Sequence, residues 1–384
     1  MARLFWIGNS VVFAIILFFA WPTLAANGRR SFSVHQISRA DTSQLFNISK
    51  AFARNVFRYG GQRLPNAVKS AETATVLTWA QDREFLIPVS VGASTLNLTI
   101  DTGSSDLWVF SSQLPEDQRE GHAVYKPSVY ASKSSTQTWK IWYADGSHAS
   151  GGLCHDVQAV EIATNVSNNL VHSSRSDGVL GLGFSNLNKG IFKNTDQQYY
   201  FFFELANLRD PVRPERENTF FDNAKLQLKL PLFAAILKED TPGSYDFGFI
   251  NKSKYIYELV YVEVDSSRGH WNFKLSGYDL GDGEIVNDLL DSVIDTGASL
   301  IFLPENIVRA YYQQAIGAEY NAQFGEWTIP CSSFLPSFTP IIKGYNAKVK
   351  SGTPLSGHPP FGPPFYIKNH FLDLLIFLLI FNMI

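Results

Sequence analysis

A four-residue word occurs twice in this 384-residue chain: Ile100-Asp101-Thr102-Gly103 and Ile294-Asp295-Thr296-Gly297, 194 positions apart. Apolar residues precede each copy (Leu98 and Ile100; Val293 and Ile294), and a small residue, a Ser and an apolar stretch follow. One Asp-Thr-Gly arises by chance in roughly one chain of this length in ten. Two copies with matching flanks constrain the chain far more. They predict a symmetric site in which an apolar strand delivers each aspartate to the end of a sheet. Gly permits the tight turn that presents the carboxylate, and Thr can hydrogen-bond to the opposite loop. Two carboxylates within hydrogen-bond reach cannot both ionise, so one keeps a proton while the other can activate water. The bland reading is two ordinary Asx-type turns.

The rest of the body suits strands. From Thr78 to Lys350 short β-type runs are punctuated by Gly, Ser, Asn and Asp: Phe85–Val91, Leu96–Ile100, Thr138–Tyr143, Val157–Ile162, Tyr255–Val264 and Thr328–Pro330. Such spacing predicts a mostly β protein with hairpins. Helices are expected only at Thr219–Leu228 and at Pro304–Gln314, the second with Ile307, Val308, Tyr311 and Tyr312 on one side.

Charged residues make up 17% and hydrophobic ones 45%, against a usual charged share of about 25%, which excludes disorder. A net charge of −3 supplies no basic field for nucleic acid. Two cysteines and eight scattered histidines give no zinc-ligand spacing. The net charge hides a division: residues 1–72 hold nine Lys/Arg against two Asp/Glu, a charge of +7, which leaves −10 for the remainder.

Met1-Ala2-Arg3, the apolar run Leu4–Ala20 and the small residues Thr23, Ala25 and Ala26 read as a secretory signal peptide over 1–25; an N-terminal membrane anchor is the second reading. The basic segment that follows, 26–78, reads as a propeptide whose cations lie on a carboxylate-rich surface until acid protonates it. A solvated basic helix over Ser49–Arg58 is the alternative for part of it. At the other end, Phe371–Phe381 is almost wholly apolar and shorter than the ~20 residues a spanning helix needs. It fits neither an alternating strand nor a capped surface helix. A lipid-anchor signal at Ser351, Gly352 or Ser356 is a weaker reading. Asn-x-Ser/Thr sites at Asn47, Asn97, Asn165 and Asn251 are compatible with a secreted glycoprotein. Asn97 stands on an expected strand just before the first motif, which argues against a glycan there.

Asp101-Thr102-Gly103-Ser104-Ser105-Asp106-Leu107-Trp108 and Asp295-Thr296-Gly297-Ala298-Ser299 resemble the two motifs of the pepsin-like aspartic endopeptidases, the secreted fungal group above all. The likeness runs from Phe85 to Val349 and includes Asp177–Gly183, Tyr245–Gly248 and Asp265–Ser267. It implies a bilobal, mostly β acid-protease fold, two β-barrel-like lobes with a cleft between: an N-terminal lobe over 79–250, a partial C-terminal lobe over 251–349 and an atypical tail over 350–384. It implies Asp101 and Asp295 as the water-activating pair, with Thr102, Gly103, Ser104, Thr296 and Gly297 supporting their loops and Gly181 backing Asp101. Ile141–Ser147 resembles the flap, with Tyr143, Asp145 and Gly146 facing substrate, Trp108 as the partner of Tyr143, and Asp145 favouring a basic substrate side chain. No metal and no cofactor are implied. Expected partners are protein or peptide substrates and the chain's own propeptide as inhibitor; the molecule is expected to be a monomer, bound to neither nucleic acid nor membrane.

Four departures accompany the likeness. Ala144 stands where such flaps carry Gly. Ala298 replaces a hydroxyl that would donate to the second carboxylate, which raises the lower apparent pKa of the pair. Cys331 falls at half of a second-lobe disulfide with no cysteine after it, so Cys154 and Cys331 are expected free. After Val349 the apolar-apolar-Gly-Asp segment and closing strands are missing from the pattern, so an incomplete second lobe with an unpaired sheet edge is expected. The alternative function is accordingly a catalytically impaired homologue or a peptide-binding non-enzyme.

Overall fold

The computed structural model describes residues 2–6, 29–36, 85–142, 147–156, 159–173, 175–187, 192–193, 218–237, 243–255, 259–281, 283–298, 301, 303–321, 326–330, 333, 335–349, 365–366 and 378–383. Two short strands come first, β1 (Ala2–Trp6) and β2 (Phe32–His35). The first lobe then runs β3 (Leu86–Val91), β4 (Ser94–Asp101), β5 (Leu107–Val109), β6 (Ser132–Trp142), β7 (His148–His155), β8 (Ala159–Val166), helix α1 (Asn168–Ser173), β9 (Gly178–Gly181) and β10 (Phe192–Lys193). These strands make one eight-stranded sheet in the order β10-β6-β7-β8-β5-β9-β4-β3. Period-two alternation builds its core: Ile87, Val89 and Val91 of β3 and Leu96, Leu98 and Ile100 of β4 are buried.

Helix α2 (Phe220–Ala224) leads to β11 (Leu232–Ile236), β12 (Ser244–Phe247) and β13 (Val260–Val264). Phe233, Tyr245 and Phe247 from β11 and β12 pack into the same core as Leu96 and Leu98, so this sheet is the floor shared with the first lobe. Thr219 caps α2 in a reciprocal capping box with Asp222. The helix is shorter than the expected Thr219–Leu228, because Leu228 leaves it to bridge Arg30. Of the expected strand Tyr255–Val264, Val260–Val264 is strand among the described residues; before Tyr255 comes a 3-10 turn, Lys252–Lys254, whose Lys254 ammonium lies 2.7 Å from the fully buried Asp246 carboxylate.

The second lobe contains β14 (Asn272–Leu275), β15 (Gly277–Asp279), β16 (Ile285–Val286), β17 (Leu290–Val293), α3 (Glu305–Gln313), β18 (Glu319–Asn321), β19 (Glu326–Pro330), β20 (Thr339–Ile342), β21 (Tyr345–Asn346) and β22 (Phe365–Tyr366). Among the described residues these form three small sheets, β14-β17, β16-β15-β20-β21 and β18-β19-β22. Pro304 is the N-cap of α3, and the helix buries Ile307, Tyr311 and Tyr312 beside Leu335 and Phe338. The Tyr311 hydroxyl donates to the Pro336 carbonyl at 2.8 Å.

The apolar tail corrects an expectation. Leu378–Met383 is a strand, β23, inside a six-stranded antiparallel sheet of order β13-β1-β23-β11-β12-β2. The near-continuous apolar run carries no period-two signal by which a strand could be recognised from the sequence. In this sheet β1 lies between β13 and β23, and β23 pairs with β11 along Leu232–Ile236. The stretch 49–58, residues 351, 352 and 356, and Cys331 lie outside the described residues. Cys154 is a buried free thiol. No described helix is long and apolar enough to cross a membrane.

Candidate active site

Asp101 is the last residue of β4, and its neighbour β9 runs parallel to it with Asp101 opposite Gly181. The first loop turns back at once. Gly103 N–H donates to Asp101 Oδ1 at 2.8 Å and the Ser104 hydroxyl to Oδ2 at 2.5 Å. The backing segment holds the loop from behind, with Leu182 N–H on the Asp101 carbonyl at 2.8 Å, Gly183 N–H on the Ser104 carbonyl at 2.7 Å and Gly181 N–H on the Asp106 carbonyl at 2.9 Å. Gly181 is required by this closeness: a Cβ there would lie 2.6 Å from the Ser105 backbone.

Asp295 lies two residues beyond β17. Gly297 N–H donates to its Oδ1 at 2.9 Å. Asp101 is 3% exposed, whereas Asp295 is half-buried.

The two loops meet through their threonines. Thr102 N–H donates to Thr296 Oγ1 at 3.1 Å, and Thr296 N–H donates to Thr102 Oγ1 at 2.9 Å. Each hydroxyl then donates onward to the opposite strand, Thr102 to the Ile294 carbonyl at 2.9 Å and Thr296 to the Ile100 carbonyl at 2.8 Å. Both threonines are buried, so four polar groups that water cannot reach satisfy one another across the pseudo-dyad. Asp101 is thereby brought against the second loop, where a Cβ at Gly297 would fall 2.6 Å from Asp101 Oδ1.

Of the other residues singled out in the sequence, Trp108 is buried on β5, stacked on Trp139 at 6.0 Å with Phe110 at 5.8 Å. Tyr143, Asp145 and Gly146 lie outside the described residues. The hairpin that carries them is formed, with Ile141 opposite Ala149 and Trp142 opposite His148. Trp142 points outward, its ring tilted 36° against His148 at 4.5 Å, with the Lys140 ammonium 4.7 Å from its ring.

One site residue, within the family-like stretch Tyr245–Gly248, received no role from the sequence. The Tyr245 hydroxyl, fully buried beneath the loops, donates to the Ile100 carbonyl at 3.3 Å, the same oxygen that accepts from Thr296. Burial, reinforced by the Asp101 and Asp295 charges, pushes its pKa well above the usual tyrosine value, so it stays a donor. Nothing local marks it, since its partner is 145 positions away.

The segment expected to be a propeptide contributes β2, which pairs with the edge of β12 from Ser244 opposite His35 to Phe247 opposite Phe32. Burial, and then the Lys254 ammonium, hold His35 down at about 4.

The sequence matches the family model described as eukaryotic aspartyl protease over residues 84–353. It is 42% identical over 335 residues to aspergillopepsin-1 of Aspergillus fumigatus, covering 84% of this chain and 79% of that one. It is 40% identical over 346 residues to aspergillopepsin-1 of Aspergillus flavus, covering 85% and 80%, and 40% identical over 344 residues to penicillopepsin-2 of Penicillium janthinellum, covering 86% and 81%. Two Asp-Thr-Gly loops locked by reciprocal threonines and a matching stretch this long lead to one conclusion: the chain belongs to the eukaryotic aspartyl protease family, the pepsin-like aspartic endopeptidases.

Proposed function

We propose that Asp101 and Asp295 hydrolyse peptide bonds in protein substrates by holding one water between them at acid pH. One carboxylate takes the water's proton as it attacks the scissile carbonyl, while the protonated partner donates to the carbonyl oxygen. Two carboxylates sharing one water cannot both be charged, so the pair divides the two roles. Gly103, Ser104 and Gly297 hold the carboxylates, and Thr102 and Thr296 hold the loops. Tyr143, Asp145 and Gly146 close over the substrate, with Trp108 behind Tyr143. The carrying observation is the reciprocal threonine pair, which sets the Asp101 carboxylate against Gly297.

The enzyme is secreted as a zymogen in this reading, with residues 1–25 as signal and 26–78 as inhibitory propeptide. His35 supports acid release. Its pKa in the docked strand is about 4, below the free value of about 6.5, so β2 docking is strongest above the free value and weakens as pH falls toward 4.

The test is cleavage of acid-denatured globin by the purified protein. Wild type should turn over and be blocked by a statine-type peptide inhibitor, and Asp101→Asn or Asp295→Asn should each lower kcat on the order of 10³-fold or more. A folded, processed wild type without turnover would overturn the reading.

A further inference from the structure

We propose that Trp271 is the positioning residue that ties the two active-site loops together from behind. The inference rests on the assignment of Asp101 and Asp295 as the catalytic pair.

The threonines join the loops at one place and fix their spacing. One point of attachment leaves each loop free to tilt about it, and a tilt moves a carboxylate without breaking the attachment. A second attachment away from the first removes that freedom, and Trp271 supplies it.

Trp271 is 0% exposed and immediately precedes β14. Its place on the second lobe is set by the β14-β17 pair, in which Asn272 lies opposite Val293. The Trp271 carbonyl accepts from Ile294 N–H at 3.4 Å, and Ile294 is the residue before Asp295. Its indole N–H points to the other lobe and donates to the Leu182 carbonyl at 2.9 Å. Leu182 in turn donates its N–H to the Asp101 carbonyl. A single residue therefore reaches both sides of the pair, by its carbonyl to Ile294 beside Asp295 and by its indole N–H, through Leu182, to the Asp101 carbonyl.

The ring's surroundings make the link stiff. Phe184 packs on it at 4.4 Å and Phe233 meets it edge-on at 5.9 Å. Phe184 N–H also donates to the Gly269 carbonyl at 3.0 Å, a second cross-lobe bond two residues from Trp271. The Phe184 carbonyl accepts the Ser105 hydroxyl at 2.7 Å, and Gly183 holds the Ser104 carbonyl while Ser104 holds Asp101 Oδ2. A shift of 182–184 thus reaches Asp101 through both its backbone and its carboxylate.

The experiment replaces Trp271 in the full chain with 3-benzothienylalanine, which keeps the ring's shape and removes the N–H donor, and with Trp271→Phe. Three quantities are read for each: kcat and KM from about pH 2 to 7, the titration of both active-site carboxyls by carbon-13 NMR of labelled aspartate, and Tm. The expected result for the isostere is a kcat roughly 10- to 100-fold lower at a KM unchanged within about twofold, with the titrations of Asp101 and Asp295 both displaced. A fall in Tm with kcat and both titrations unmoved would overturn the proposal and leave Trp271 as core packing. Displacement of one carboxyl alone would overturn it too, by making Trp271 the support of a single loop. If Trp271→Phe does not fold, the isostere decides. An inactive wild type counts against the catalytic assignment, and the carboxyl titrations then still decide the role of Trp271.

Discussion

Asp101 and Asp295 hold the same place in the same four-residue word and yet sit in different surroundings. Asp101 belongs to a strand of an eight-stranded sheet and is backed by the parallel strand β9. Asp295 follows a strand whose sheet, among the described residues, has two members. The Asp101 carboxylate accepts from Ser104, whereas the matching position after Asp295 is Ala298, which has no hydroxyl to give. The difference teaches that a symmetric motif does not require symmetric support. The first loop is the fixed reference, and the threonine pair and Trp271 align the second loop to it.

The sharpest way to break that comparison is to add one methyl group to each loop. In Gly181→Ala the new Cβ meets Ser105 backbone at 2.6 Å, which cannot yield without moving β4 and β9. In Gly297→Ala it meets the Asp101 carboxylate, which can rotate away. Gly181→Ala should cost about 3 kcal/mol or more in urea unfolding. Gly297→Ala should fold with near-normal stability and lose roughly 100-fold in kcat. Equal stability losses for the two would contradict a backbone contact that cannot yield at Gly181 and a side-chain contact that can at Gly297.

The first lobe also carries a charge-dependent brace. His122 is buried, stacked on Phe110 at 4.0 Å, with Nδ1 3.7 Å from Asp177 Oδ1, an ion pair rather than a hydrogen bond. Burial pulls the imidazole pKa down, but Asp177 and the Val171 and Ser176 backbone outweigh it and the net shift is upward. Asp177 is also held by Asn97 N–H at 2.7 Å and Ala123 N–H at 2.8 Å. A raised His pKa contributes stability that is fully present below about 6.5 and fades as pH climbs through the raised value. His122→Gln should therefore lower stability by about 1–3 kcal/mol at pH 5 and by less at pH 8, as read by urea unfolding. A loss independent of pH would remove the charge from the account.

The smallest effect expected is at Ala298. Ala298→Thr supplies the second carboxylate with a donor like the one Ser104 gives Asp101, stabilising its charged form. The acid limb of the kcat profile should move to lower pH by less than about one unit. An unmoved profile would mean that the asymmetry between the two loops is not electrostatic.

What the sequence makes legible follows from chemistry that is local. The duplicated Asp-Thr-Gly, the alternation in β3 and β4, and α3 beginning just after Pro304 each depend on neighbours within a few residues. Tyr245 and Trp271 are not legible in this way. Both carry ordinary core side chains, and their importance comes from single hydrogen bonds to carbonyls 145 and 89 positions away. The tail failed for another reason: alternation reveals strands with one apolar face, and the run Phe371–Phe381 is apolar at almost every position. Gly181 lies between these cases, since a Gly near a turn is unremarkable until the Ser105 backbone is found against it.

The exchanged threonine bonds have a consequence for how the molecule matures. A lobe that has folded alone presents a hydroxyl and an amide N–H that find partners only when the other lobe arrives, and its aspartate has nothing to share a proton with. Completion of the proposed pair is thus the same event as meeting of the two loops. A chain in which only the first loop has formed has neither the threonine exchange nor the second aspartate beside Asp101.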